Sequence, residues 1–285
     1  MSAPREQAEF RRILVALDAS KESLAALTAA ANLAAQLQAE LAGLFIEDID
    51  LLNLAALPFS REARMLSSAG RGLEPERLER ELKSRAALAR RTLAQVAEAL
   101  HLHWTFRVAR GRIETELLAA AAEADMVAVG KGTRPMSGEA RLGRTGRAVA
   151  SLAPRSVLFA STIGCPADAP MGVVYDANAG ADSALALAAR LAEREGRRLL
   201  VFVLGGDRSV LVAREMAVAE RLRSLGARAI LRPVRGTGLG DMLRVLQAEP
   251  VGTLVIGSRD PAGDESAALD LLIERSACSV LIVRA

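Results

Sequence analysis

Ile13-Leu-Val-Ala-Leu-Asp18-Ala-Ser20, followed by an alanine- and leucine-rich run, returns as Val173-Val-Tyr-Asp176-Ala-Asn178 with a similar run of its own. Residues 158 apart pair without a gap through this region, among them Asp18 with Asp176, Ala26 with Ala184, Leu33 with Leu191 and Leu41 with Leu199. Further on, Ala124-Asp-Met-Val-Ala-Val-Gly130 is answered by Gly252-Thr-Leu-Val-Ile-Gly257, and Ser156-Val-Leu-Phe-Ala by Ser279-Val-Leu-Ile-Val. Solenoid units repeat every ~20 to 50 residues, so a period this long makes each copy a whole domain. The reading divides the chain into domain 1 over 1-161, with a long insertion at about 47-74, and domain 2 over 172-285. Residues 162–171, with Gly164, Pro166 and Pro170, form the expected linker.

Around the repeated stretch, the pattern is one of alternating strands and helices. Ile13 to Leu17 is a short continuous apolar run, as a parallel strand buried on both faces requires. Ser20 to Gln38 reads as a helix capped by Ser20. Leu41 to Ile46 is a second strand, and Leu78, Leu82, Ala89, Leu93, Val96 and Leu100 mark a helix beginning near Pro75. Alternation at Trp104, Phe106 and Val108 gives a third strand. A helix over Ile113 to Ala124, a strand over Met126 to Val129, a helix over Thr145 to Leu152 and a strand over Val157 to Ala160 complete the half. The expected fold is α/β: two tandem doubly wound parallel-sheet domains. The second copy lacks about 31 residues between its first and fourth strands, lost after the second strand, and four more from its fourth loop.

Composition supports two packed cores, one to each domain. The 285 residues exceed an ordinary single domain, and 51% hydrophobic with 25% charged residues excludes a disordered chain. Aromatics are 3%, so the cores are aliphatic, and few rings are available for base stacking. The net charge of +3 is a mild basic excess, and nucleic acid is not expected as a partner. No apolar run of 18 residues occurs and the start lacks a signal-peptide core, so a soluble, cytoplasmic protein with no membrane partner is expected. Cys165 and Cys278 suit a linker thiol and a core residue rather than a disulfide framework.

Ligands of doubly wound sheets sit outside the carboxyl ends of the strands, which singles out Asp18, Ile46 with Glu47, and the segment Gly130 to Thr145. In that segment Gly143 opens a helix whose amino end favours an anion, and Lys131, Arg134, Arg141, Arg144 and Arg147 add positive charge. A polyphosphate is the natural occupant.

Here the chain resembles the universal stress protein family over almost all of both halves. The resemblance rests on Asp18-Ala-Ser20, Asp176-Ala-Asn178, Val127-Ala-Val-Gly130 and the closing helix and strand, Arg144 to Ala160. It implies an adenine nucleotide alpha hydrolase-like fold. In the ATP-binding branch of that family the fourth loop reads Gly, two residues, Gly, nine residues, Gly, then Ser or Thr. This chain keeps Gly130 and Gly143 at that distance but has Thr133 for the middle glycine and Arg144 for the hydroxyl residue, with Gly132 and Thr145 each one position away. By resemblance, Asp18 with Ser20 holds the ribose or metal side, the backbone near Ile46 the adenine, and Gly130, Lys131, Gly132, Thr133, Gly143, Arg144 and Thr145 the phosphates. The implied ligand is ATP or another adenine nucleotide, with Mg2+ as an optional companion.

The second copy lacks a glycine before its last helix and places Asp260, Asp264, Glu265 and Asp270 around the position that should attract phosphate. It is expected to be structural, completing an intramolecular pseudo-dimer and leaving a further homodimer open. The last strands of the halves meet in the family, so Val157 to Ala160 should pair with Val280 to Val283. Gly236-Thr-Gly-Leu-Gly240 is expected to lead into a helix, and His101 with His103 to flank a turn without metal. Leu51 to Leu57 is either a helix over the sheet or a contact surface for an unidentified protein. No Ser-His-Asp, Cys-His or Walker lysine arrangement is present, so a stress-response regulator that is not an enzyme is expected. A nucleotide-independent scaffold and a slow nucleotide hydrolase are the competing classes.

Overall fold

The computed structural model describes residues 10–56, 75–132, 142–163, 166, 168–236, 238–258 and 265–284. Strands β1 (Arg12–Ala16), β2 (Glu40–Asp48), β3 (Trp104–Gly111), β4 (Met126–Gly130) and β5 (Ser156–Ala160) are followed by β6 (Met171–Tyr175), β7 (Leu199–Gly205), β8 (Ile230–Arg235), β9 (Thr253–Gly257) and β10 (Ser279–Val283). The helices between them are α1 (Lys21–Leu37), α2 (Ile49–Ala56), α3 (Pro75–Ala99), α4 (Ile113–Ala122), α5 (Arg144–Leu152), α6 (Ala181–Glu195), α7 (Arg208–Ser224), α8 (Met242–Ala248) and α9 (Glu265–Arg275).

All ten strands join one sheet in the order β3-β2-β1-β4-β5-β10-β9-β6-β7-β8. Pairing is parallel on either side of the centre, and β5 and β10 meet antiparallel there, Leu281 opposite Leu158. Ser279 Oγ accepts from the Ser161 amide, and Ser156 Oγ from the Arg284 amide, each at 3.1 Å, so the two halves exchange equivalent bonds across the seam.

The apolar strands explain the layers. Along β1, Ile13 and Val15 enter one core and Leu14 the other. One face carries α1, α3, α6 and α7, the other α4, α5, α8 and α9, so the two cores divide by sheet face and each runs through both halves, which corrects the expectation of one core to each domain. In α1, Ala26, Leu27, Ala30, Ala31 and Ala34 are fully buried at helical spacing. Small alanines let this helix lie close to the sheet, and burying Leu27 contributes about 1.5–3 kcal/mol. Ser20 Oγ accepts from the Ser23 amide as the N-cap, and Gln38 ends the helix at φ 57°.

Four local outcomes refine the expectations. Met171 opens β6 instead of closing the linker. Val108 is 49% exposed because β3 is an edge strand and its alternation slips there. In α2, Leu51 and Leu52 pack against the core while Leu54 is exposed, and Leu57 lies outside the described residues. Leu239–Asp241 forms a 3-10 turn leading into α8, the helix-opening role expected of the glycine-rich stretch whose last residues, Leu239 and Gly240, lie in that turn. Arg107 and Arg110 on β3, with Arg232, Pro233 and Arg235 on β8, blunt the sheet's two open edges.

Candidate functional site

The chain leaves β1 for β2 on one side of the sheet and β4 for β5 on the other, so β1 and β4 flank a topological switch point where such sheets bind ligands. Asp18 follows β1, Ile46 lies half-buried near the end of β2, and Gly130 ends β4 with Gly132 just beyond. Gly143 begins α5 as its N-cap, with Arg144 and a half-buried Thr145 in the first turn. The structure thus gathers these residues, with Ser20, at the carboxyl ends of adjacent strands. Thr133, Arg134 and Arg141 lie outside the described residues.

Asp18 shapes the turn. Its Oδ1 accepts the Ser20 amide at 2.9 Å, with Ala19 between them at φ 63°. Burial raises the Asp18 pKa, but hydrogen bonds from the Ser20 hydroxyl and amide outweigh it and hold the carboxyl below its ordinary value. Asp18 is therefore an anion at neutral pH.

The two matching glycines have a packing origin. A Cβ on Gly130 would stand 2.5 Å from the Glu22 carbonyl carbon and oxygen, and one on Gly257 2.4 Å from the Gly180 carbonyl carbon. Each is glycine because the helix that follows the neighbouring strand, α1 after β1 or α6 after β6, starts against the strand end and leaves no room for a side chain. Gly143 is different. It sits at φ −62° with no side-chain cap bond, and a Cβ there meets nothing within 4 Å among the described residues.

The expectation for the basic residues needs correction. Lys131 turns toward the second half, donating to Ser276 O at 3.0 Å, Ser276 Oγ at 2.8 Å and Cys278 O at 2.5 Å. Burial pushes its pKa down to about 8, against a smaller opposite effect of Cys278. Arg147 faces Glu274 at 3.4 Å and Asp270 at 4.0 Å. Arg144 pairs with Glu114 at 2.6 Å but is 87% exposed, so its pairing is worth only about 0–1 kcal/mol. Arg144 can turn to a phosphate at small cost. Lys131 would abandon three acceptors in a half-buried place, so it leaves the phosphate set.

The second half fills its own counterpart. Asp176 accepts from the Asn178 amide at 3.0 Å and from Asn178 Nδ2 at 3.1 Å, and Nδ2 also reaches Gly257 O at 2.8 Å. Asn178 Oδ1 takes the Gly180 amide at 2.8 Å. The carbonyl of Leu204, which matches Ile46 in the repeat, is taken by the Arg214 guanidinium. Asp270 faces Arg147 across the seam and not a phosphate position of its own half, which corrects the reading of it as local repulsion. Asp260 and Asp264 lie outside the described residues, and nothing is described of the Glu265 side chain. Sequence reasoning missed Asn178, Arg214 and Glu274 as site-shaping residues. Only the change from Ser20 to Asn178 in the repeat signalled any of them.

Among the described residues no group of three or more His, Cys, Asp or Glu could hold a metal. His101, at φ 55°, closes the end of α3 with Nδ1 3.0 Å from Glu98 O.

Residues 9–161 match the universal stress protein family. In structure the chain is similar to a universal stress protein from Archaeoglobus fulgidus DSM 4304, with a TM-score of 0.74 and 18% identity over 96% of this chain and 98% of that one. It is also similar to a functionally unknown protein from Pseudomonas aeruginosa PAO1, with a TM-score of 0.63 and 17% identity over 98% and 93% of the two chains. A putative universal stress protein from Pseudomonas aeruginosa UCBPP-PA14 gives a TM-score of 0.62 and 17% identity over 98% and 94%. At such identities the likeness concerns the fold. No curated protein matches the chain.

Proposed function

The chain belongs to the universal stress protein family, and from that premise we propose that its first half binds an adenine nucleotide, taken here as ATP, for a regulatory purpose. The observation that carries the reading is the contrast between the halves. In the second, Asn178 and Arg214 occupy the polar groups that a nucleotide would need, whereas the first ends at the Asp18 turn and at the start of α5, where Gly143 brings no side-chain cap. Backbone N-H groups at a helix start favour an anion. In this reading the backbone near Ile46 receives the adenine, and Asp18 the ribose or a metal. Gly143, Arg144 and Thr145 receive the phosphates. A single carboxylate suits Mg2+, which is commonly held by one or two carboxylates together with phosphate oxygens. Asp18 would hold it, and the ion would neutralise phosphate charge.

The proposed activity is binding without turnover, in a cytoplasmic protein whose two halves form a pseudo-dimer about the β5/β10 seam. No helix among the described residues is long and apolar enough to cross a membrane. Mass spectrometry of small molecules released from freshly purified protein tests the reading: an adenine nucleotide near one per chain supports it. A chain that releases none and gives no binding heat with any adenine nucleotide rules it out.

A further inference from the structure

The connection from β4 to α5 is held at both ends by the second half. At its start, Lys131 donates to the Ser276 carbonyl and hydroxyl and to the Cys278 carbonyl. At its end, Glu274 Oε1 accepts the Leu142 amide at 2.8 Å and Arg147 Nη2 at 3.4 Å, with Asp270 on the same arginine. Every second-half group here belongs to α9 or to the turn after it. Hydrogen bonds with an ionised partner are the stronger kind, and the Glu274 side chain is only 15% exposed. The charges are not duplicated in reverse. By the repeat offsets, Ser258 stands for Lys131, Ser151 for Glu274 and Arg147 for Asp270.

We propose that α9 is a positioning element for the first half's nucleotide site, and that Glu274 sets nucleotide affinity by fixing the start of α5. This rests on the nucleotide reading above. Leu142 precedes Gly143, so the Leu142–Glu274 bond determines where the first-turn N-H groups of α5 point. An oriented donor set binds an anion only within hydrogen-bond reach, and a small misplacement forfeits it. Coupling is reciprocal: nucleotide in the first half tightens the docking of α9 by the factor that α9 contributes to affinity. The half that has closed its own site thereby serves the other one.

The test uses the full chain titrated with magnesium-ATP, and amide exchange at Leu142. Glu274→Ala removes the acceptor and is expected to weaken ATP by about tenfold and to speed Leu142 exchange by at least about tenfold. Glu274→Gln keeps an acceptor for the Leu142 amide while removing a negative charge, so it should bind within about threefold of wild type, or tighter. Leu222→Ala, a cavity in the remote helix α7, should lower the melting temperature and leave affinity unchanged. Wild-type affinity and unchanged Leu142 exchange in Glu274→Ala overturn the proposal, as does equal weakening by Leu222→Ala. A wild-type chain that gives no heat with ATP while Glu274→Ala still speeds exchange overturns the nucleotide reading, and the tuning falls with it.

Discussion

Asn178 donates through Nδ2 to the carbonyl of Gly257 at 2.8 Å, tying the turn after β6 to the end of β9 and closing the second half where the first presents Asp18 and Gly130. The same amide receives the Gly180 N-H through its oxygen, and Asn178 is 8% exposed. One side chain here satisfies two buried backbone groups.

Asn178→Ala leaves both groups without their partner, at about 1–3 kcal/mol for each buried polar group. Ser20→Ala, at the matching position, removes a helix cap worth about 1 kcal/mol. Denaturant unfolding of the two variants should therefore show the larger loss for Asn178→Ala. Equal or inverted losses would mean that Asn178 does not carry the closure.

Lys131 has a folded pKa of about 8 against an unfolded value near 10.5, so between those pH values the unfolded chain binds the extra proton. Its contribution to stability therefore rises with pH across that window, by about 3 kcal/mol in all. Subtracting the pH profile of Lys131→Met from that of wild type should reveal this rise. A flat difference would mean that the ammonium is solvated rather than packed against Ser276 and Cys278.

Dependence on phosphate number separates the basic residues. Arg144 is exposed and weakly held, whereas Lys131 is committed to the second half. Arg144→Ala should reduce the gain in affinity from AMP to ATP and its sensitivity to salt, and Lys131→Met should leave that gain intact. Binding of adenosine as tightly as ATP would put recognition in the base alone.

Leu281 is 1% exposed at the central seam, opposite Leu158, while Leu54 on α2 is 47% exposed. Leu281→Lys buries a charge and should unfold the chain or cost more than about 4 kcal/mol in thermal or denaturant melts. Leu54→Lys should stay within about 0.5 kcal/mol.

The fold was legible because two aliphatic copies repeat their strand and helix pattern in phase, and periodicity of buried residues is what sequence displays best. The exposed Val108 escaped notice because alternation alone does not say that β3 lies at an edge. The candidate site was legible only as a location: Asp18 follows β1, Gly130 ends β4 and Gly143 opens α5. But Gly130 answers to the backbone of Glu22, and Lys131 to carbonyls some 145 residues away. Contacts of that separation leave no local pattern, so a lysine beside a glycine-rich loop looks the same in sequence whether it faces a ligand or a neighbouring helix.

The proposed function requires one nucleotide site per chain, in the first half, and titration calorimetry with magnesium-ATP on wild type and Gly143→Val decides whether it is there. A Cβ at Gly143 meets nothing within 4 Å among the described residues, and the backbone there is extended, so the fold should accept valine. The expected result is one site per chain in wild type and its loss in Gly143→Val. Two equal sites, or unchanged binding by Gly143→Val, would contradict the account.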